Sequence, residues 1–114
     1  MDFNVRRQTT LDSIQLSVTK EIERDYEPTH SMEDIVAMMF AGLAEEVGEV
    51  EAIYKRMLRH NLKDEETLRT KPDWLAEELG DVLWYLTGIA ALFDLNLDIV
   101  WLMNRKKLEE RYGE

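Results

Sequence analysis

The chain has 114 residues, a formal net charge of −10 and no cysteine, and its length suits one small domain. The absence of cysteine excludes disulfides and thiolate metal sites, and an acidic surface repels nucleic acid and anionic membranes. No apolar run reaches the roughly 20 residues of a membrane span and residues 1–7 lack a signal-peptide core, so we expect one cytoplasmic domain over residues 1–114 without nucleic-acid or membrane partners.

Apolar residues recur at helical spacing in two N-terminal segments. The first segment covers residues 9–25, and Thr9 with Asp12 has the spacing of a capping box at its start. The second begins at Ser31, a good N-cap residue, and its apolar pattern runs to about His60. These patterns predict two helices of unequal length.

The C-terminal half also has a helical pattern. Residues 61–71 are mostly charged and predict a loop, after which Pro72 suits the first turn of a third helix. That helix continues to about Phe93, and Asn96 is placed to cap a fourth helix that ends near Tyr112. No segment has the alternating pattern of a strand. The predicted fold is therefore all-α, a four-helix bundle or part of one.

The third predicted helix is unusually apolar. Residues 82–93 are apolar on almost every face, which is more surface than a chain of this size easily covers. We therefore expect self-association into a homodimer or homotetramer. The alternative is the central helix of a monomer.

An acidic heptapeptide occurs twice in the chain. Residues 44–50 and 76–82 agree at five of seven positions, and the two copies start 32 residues apart. On a helix, Glu46 and Glu49 are neighbours on one face, and the same holds for the pair Glu78 and Asp81. Because apolar residues flank both faces, we expect these carboxylates to lie beside the buried side of each helix.

Several like charges placed together at a partly buried site are costly unless a cation neutralises them. Carboxylate oxygens are the preferred ligands of Mg²⁺ and Mn²⁺. Zinc is disfavoured, because the chain offers only His30 and His60 and no cysteine. The two heptapeptides thus predict one site for a hard divalent cation. The alternative is a pair of solvated acidic faces in a chain that is rich in acids.

Each heptapeptide contains a glycine at the same position, Gly48 or Gly80. A glycine inside a helix costs about 1 kcal/mol relative to alanine, so a structural reason for it is expected. We predict that the two helices cross at these glycines with close backbone approach.

Three parts of the sequence together resemble the MazG-like nucleoside triphosphate pyrophosphohydrolases, members of the all-α NTP pyrophosphatase superfamily. Residues 45–49 read E-E-x-x-E, residues 78–81 read E-x-x-D, and residues 104–112 read N-x-x-K-x-x-x-R-Y. The resemblance extends to Gln15 in the first predicted helix. It covers most of the chain and is specific for the superfamily rather than for a substrate.

The resemblance implies Mg²⁺-dependent hydrolysis of a nucleoside triphosphate to the monophosphate and pyrophosphate, by a dimer or tetramer. Glu45 is implied either as the base that activates water or as a further metal ligand. The implied metal ligands are Glu46, Glu49, Glu78 and Asp81.

Phosphate groups that the metal does not hold need cationic partners, and Lys107 and Arg111 share one face of the fourth helix. Tyr85 lies one turn after Asp81, where the resemblance also places an aromatic residue, while Trp84 and Trp74 are either base contacts or core residues. A second basic patch lies near the end of the second helix. For this patch and for Lys107 with Arg111, the alternative to phosphate binding is that cations are simply favourable near a helix C-terminus. The second patch consists of Lys55, Arg56 and Arg59. The predicted substrate contacts are Gln15, Tyr85, Asn104, Lys107, Arg111 and Tyr112.

Other members of the superfamily remain alternatives. Phosphoribosyl-ATP pyrophosphohydrolases tend to carry histidine where this chain has Tyr85, and dimeric dUTPases usually have longer chains; dCTP pyrophosphatases also belong to the superfamily. A MazG-like enzyme that removes surplus or non-standard (d)NTPs is the preferred interpretation. A catalytically silent oligomeric module that binds nucleotide or a partner helix is the alternative from another class.

Overall fold

The computed structural model describes residues 9–60 and 72–113, and within them the chain forms four α-helices and no strand. This confirms the predicted all-α fold, while the predicted loop at 61–71 lies outside the described residues. The helices are α1 (Leu11–Asp25), α2 (Met32–Arg59), α3 (Pro72–Leu92) and α4 (Leu97–Tyr112).

Helix α1 begins with a capping box, one residue later than the sequence predicts. The Thr10 hydroxyl accepts the backbone N–H of Ser13 at 3.1 Å, and the Ser13 hydroxyl accepts the N–H of Thr10 at 2.9 Å. The predicted pair Thr9 and Asp12 is therefore wrong by one position. Here the serine hydroxyl reaches back to the cap in place of the usual Glu or Gln, so the box forms without an acidic partner.

The other two predicted caps are confirmed. Ser31 accepts the backbone N–H of Asp34 at 3.1 Å at the start of α2, and Asn96 accepts that of Asp98 at 2.8 Å at the start of α4. Each such bond satisfies one of the free N–H groups of a first helical turn and stabilises the fold by about 1 kcal/mol.

Helix α3 packs against both α2 and α1, and α4 packs against α1. The buried side chains of the core cluster are Val18, Ile22, Ile35 and Met39, with Trp84, Tyr85 and three further residues packed against them. Helices α2 and α3 are antiparallel, since the contacts between them run in opposite sequence directions. The contacts that establish this are Phe40 with Phe93, Met39 with Gly88, Gly42 with Tyr85, and Glu46 with Asp81.

The glycines at which α2 and α3 approach are not the predicted ones. A Cβ atom added at Gly48 or Gly80 would meet nothing within 4 Å, so the predicted contact at these residues is wrong. Each glycine follows an inward-facing acid by two residues, which is about 200° around a helix, and it therefore points away from the partner. Close packing occurs instead at Gly42, where a Cβ would collide with the Tyr85 ring, and at Gly88, where it would lie 3.0 Å from Met39 Sδ.

The turn between α3 and α4 is held by α1. Gln15 Nε2 donates to the Leu95 carbonyl at 2.6 Å, and the Leu97 N–H donates to Gln15 Oε1 at 3.1 Å. Asp94 in this turn has φ 56°, in the left-handed region that Asp tolerates better than most residues. The axes of the two helices are bent by 101° at the break.

Among the described residues, no single helix has both the length and the apolar composition needed to cross a membrane. Residues 74–92 and 97–112 meet that test only when they are taken together, on length and composition alone, and they are separated by the 101° bend.

Candidate metal centre

The antiparallel packing of α2 and α3 brings the two acidic heptapeptides together. Tyr85 lies against Gly42, and one helical turn further along α2 Glu46 faces Glu78 and Asp81 of α3. One carboxylate oxygen from each of these three acids lies within 4.8 Å of those of the other two. The register set by the close contact at Gly42 thus places acids from two distant segments at one point.

The three acids form a compact group at the edge of the buried region. Glu46 and Glu78 are half-buried and Asp81 is exposed. Partial burial, followed by repulsion from Asp81 and Glu78, raises the pKa of the Glu46 carboxyl above its ordinary value. The free acids therefore destabilise one another, and a divalent cation among their oxygens would remove that repulsion.

Two further acids of the first heptapeptide lie outside this group. Glu45 and Glu49 are exposed, and neither belongs to the set of three converging carboxylates. Glu45 is still close enough to contribute to the raised pKa of Glu46. The structure thus brings together three of the four predicted metal ligands, while Glu49 and Glu45, which is predicted as base or further ligand, are outside that group.

Tyr85 occupies the position that the sequence predicts, beside the acids. Its half-buried ring lies over Gly42. Burial, then Tyr26, and then the carboxylates of Glu46, Glu45 and Asp81 raise the pKa of the Tyr85 phenol. The phenol is therefore neutral at physiological pH and stands next to the acidic group.

Trp84 is part of the packing around Tyr85 rather than a free base-stacking surface. Its ring meets Tyr85 edge to face, with centroids 5.1 Å apart and planes at 84°, and it also contacts Tyr26 at 6.1 Å. Its indole N–H donates to Glu21 Oε2 at 2.7 Å. Trp74, the other aromatic residue considered for the base, is exposed on the first turn of α3.

Sequence reasoning missed two residues next to the site, Glu21 and Gly42. For Gly42 a signal exists, because a glycine in the middle of a long helix lowers helix stability and so indicates a structural reason such as close packing. For Glu21 the sequence carries no signal, since its partner Trp84 is 63 residues away.

Gln15 has a different environment from the one predicted for a substrate contact. Both the oxygen and the nitrogen of its side-chain amide form hydrogen bonds with the turn between α3 and α4. That turn lies about 20 Å along the helix axis from Asp81, at 1.5 Å per residue. The structure therefore shows Gln15 as a clamp on the turn and does not bring it to the three acids.

The predicted phosphate-binding residues lie on α4, beyond the turn at which the helix axis bends by 101° from that of α3. Lys107, Arg111 and Tyr112 are exposed, and within the described residues neither cation forms an ion pair. Asn104 accepts a hydrogen bond from Arg105 at 2.7 Å and lines an apolar groove with Trp101. None of the three converging acids lines that groove. The basic residues at the end of α2, Lys55, Arg56 and Arg59, are also exposed.

Comparison with known proteins identifies related sequences. A family described as the MazG nucleotide pyrophosphohydrolase domain matches residues 36–114. A protein of Mycobacterium phage L5, described as Gene 37 protein, is 39% identical over 70 residues, which make up 61% of this chain and 60% of that protein. The chain thus spans about 60% of the length of this relative. No solved structure matches. The family match begins inside α2, so it contains all three converging acids but not α1.

Proposed function

The chain belongs to the MazG nucleotide pyrophosphohydrolase family, and from this premise we propose that it hydrolyses a nucleoside triphosphate to the monophosphate and pyrophosphate. Mg²⁺ is the proposed cofactor, with Mn²⁺ as a substitute. The substrate class is the (d)NTPs, and the role is removal of surplus or non-standard nucleotides from the cellular pool.

The convergence of Glu46, Glu78 and Asp81 is the observation that carries this proposal. Their oxygens, within 4.8 Å of one another, are hard ligands of the kind that Mg²⁺ and Mn²⁺ bind. The raised pKa of Glu46 supports the same assignment, because it reflects partial burial and then repulsion from Asp81 and Glu78, and a bound cation would offset both. Glu49 lies three residues after Glu46 on the same side of α2, and we assign it as the fourth ligand.

A divalent cation bound there would offset the charge of the triphosphate and make a water molecule more acidic. We assign Glu45 as the general base, because it lies beside the three acids but outside their group. Glu45 takes a proton from the attacking water, whose oxygen forms a bond to the α-phosphorus. The bond between the α-phosphorus and the oxygen that bridges it to the β-phosphate breaks, and pyrophosphate leaves with that electron pair on this oxygen. As a further ligand instead, Glu45 would leave water activation to the cation.

On the substrate side, Tyr85 is the best-placed residue to contact the nucleotide, since its ring lies beside Glu46 and Asp81. Lys107 and Arg111 are the proposed phosphate contacts, with Asn104 and Tyr112 nearby on α4. Gln15 is the weakest of the predicted contacts, because both ends of its amide already bind the turn.

Self-association into a homodimer or homotetramer is part of the proposal. Leu79, Leu83 and Leu86 of α3 are between 42% and 49% exposed, and four apolar residues of α4 are more exposed still. Leu83, Leu86 and Trp101 line one apolar groove, and contiguous exposed apolar surface is typical of protein–protein contacts. The four residues of α4 are Ile99, Trp101, Leu102 and Met103.

The proposal is tested by pyrophosphate release from a panel of (d)NTPs in Mg²⁺, in Mn²⁺ and in EDTA. We expect metal-dependent release from at least one nucleotide. Asp81→Ala and Glu49→Ala should each lower kcat by at least about 100-fold, because loss of a residue that merely supports a metal ligand already costs about 10–100-fold.

The matched control is Glu51→Ala, which removes an exposed acid of α2 outside the acidic group and should leave the rate unchanged. If no nucleotide releases pyrophosphate but nucleotide binding is measurable, the enzyme proposal is wrong and the chain is the catalytically silent binding module. Activity that survives Asp81→Ala would disprove the proposed metal site.

A further inference from the structure

Helix α1, which the family match does not include, contributes one acidic side chain to the surroundings of Tyr85. Glu21 is half-buried, and its Oε2 accepts the indole N–H of Trp84 at 2.7 Å. A hydrogen bond from a neutral donor to a carboxylate is shorter and stronger than one between neutral groups. The position of the indole is therefore fixed from α1.

Trp84 in turn restrains Tyr85. The two rings meet edge to face at 5.1 Å and 84°, an arrangement that aromatic pairs prefer. The Tyr85 ring also lies against Gly42, where an added Cβ would collide with it. Tyr85 is thus held between an indole fixed by α1 and the bare backbone of α2, next to the three converging acids.

We infer that Glu21 is a positioning residue for nucleotide binding, acting through Trp84 on the orientation of Tyr85. The inference rests on the proposed function, in which Tyr85 contacts the nucleotide. Glu21 does not belong to the group of converging acids, and its carboxylate binds the Trp84 indole. Its loss should therefore affect substrate affinity through Tyr85 and leave metal binding intact.

A double-mutant cycle in KM separates this role from a general structural one. Glu21→Ala should raise KM by about 10-fold with kcat nearly unchanged, as expected for loss of one hydrogen bond to a charged group. Glu21→Gln retains an acceptor oxygen and should restore most of the affinity. In a Tyr85→Ala background, Glu21→Ala should have no further effect, whereas additive effects would overturn the inference.

Two control variants accompany the cycle. Glu23→Ala removes an exposed acid two residues away in α1 and should leave KM unchanged. Trp84→Phe removes the indole N–H but keeps an aromatic ring, and should raise KM as Glu21→Ala does. It takes the place of Glu21→Ala in the cycle if that variant does not fold.

A fluorine NMR measurement tests the same link without relying on activity. The chain has four tyrosines, so fluorotyrosine-labelled protein gives four signals, and Tyr85→Ala identifies one of them. Glu21→Ala should shift the Tyr85 signal, and Glu23→Ala should not. An unmoved signal would overturn the inference even in an active enzyme. Absence of pyrophosphate release from wild-type protein would instead contradict the proposed function. In that case the fluorine signal of Tyr85 would still show whether Glu21 determines the orientation of the Tyr85 ring.

Discussion

The acidic heptapeptides inside α2 and α3 and the basic end of α4 are predicted to serve one site, yet the fold holds them in different ways. The acids meet because α2 and α3 pack antiparallel, in a register fixed where Tyr85 lies on Gly42. Helix α4 instead packs against α1, beyond a turn that Gln15 clamps. Lys107 and Arg111 therefore stay apart from Glu46, Glu78 and Asp81 within one chain.

This difference shows what a sequence signature can and cannot specify. The signature groups residues by the chemistry that they supply, whereas the packing of each helix decides which of them meet. Metal binding should depend only on the α2–α3 region, and the cations of α4 should matter only once a triphosphate is present. The predictions below test that division.

Metal binding should stabilise the protein through the α2–α3 region alone. At a Mg²⁺ concentration about 100 times the Kd, a ligand that binds only the folded chain adds about 2.7 kcal/mol to the free energy of unfolding. Thermal or urea unfolding with Mg²⁺ and with EDTA measures this gain. Asp81→Ala should abolish the gain, and Lys107→Ala should retain it in full. If Asp81→Ala and Lys107→Ala lost the same part of the Mg²⁺-dependent stabilisation, metal binding would depend on α4 as well as on the α2–α3 region.

The register of the α2–α3 pair should depend on Gly42 and not on the glycines of the acidic heptapeptides. An added Cβ at Gly42 pushes the Tyr85 ring out of place, and overpacking of this kind costs about 1–3 kcal/mol. Gly42→Ala should therefore destabilise the fold by up to about 2 kcal/mol after the gain of about 1 kcal/mol in helix propensity.

Gly48→Ala is the matched control for this packing effect. It adds the same methyl group in the same helix, where nothing lies within 4 Å, and should stabilise the protein by up to about 1 kcal/mol. Urea unfolding of the two variants gives the comparison. Destabilisation by Gly48→Ala would instead support the close helix contact at Gly48 that the sequence predicts.

How far the sequence predicts the structure follows from the same residues. Helical periodicity and cap residues such as Ser31 and Asn96 are local signals, and they predict the helices to within a residue or two. The heptapeptide repeat identifies the acids, because their spacing places them on one face. The glycine contact is mispredicted although a helical rotation of 200° between Glu46 and Gly48 already argues against it.

Long-range pairings account for what the sequence does not predict. Nothing local ties Glu21 to Trp84, or Gln15 to the turn before α4, since the partners are 63 to 82 residues apart. Such contacts depend on how α1 packs across α3. No short pattern in the sequence indicates this packing. The position of α4 relative to the acids depends on the same packing.

The smallest expected effect concerns Glu46 in the metal-free protein. Its pKa is raised by partial burial and by Asp81 and Glu78, so the folded chain holds this proton more tightly than the unfolded chain does. The fold therefore loses stability as the pH rises from the ordinary carboxyl pKa of 4.5 through the raised folded value. Above the folded-state pKa, Glu46 is ionised in both states and its destabilising effect no longer changes with pH.

Glu46→Gln removes this charge and keeps the shape of the side chain. In EDTA at pH 7 we expect the variant to have a higher Tm than the wild type, and the difference should vanish below the ordinary carboxyl pKa, where Glu46 is protonated in both states. Adding Mg²⁺ at pH 7 should reverse the order, since only the wild type gains a bound cation. Glu51→Gln, on the exposed side of α2, should show neither effect. A Tm for Glu46→Gln below that of the wild type in EDTA would mean that the acids do not repel one another, and the α2–α3 region would then lack the electrostatic reason to bind metal that distinguishes it from α4.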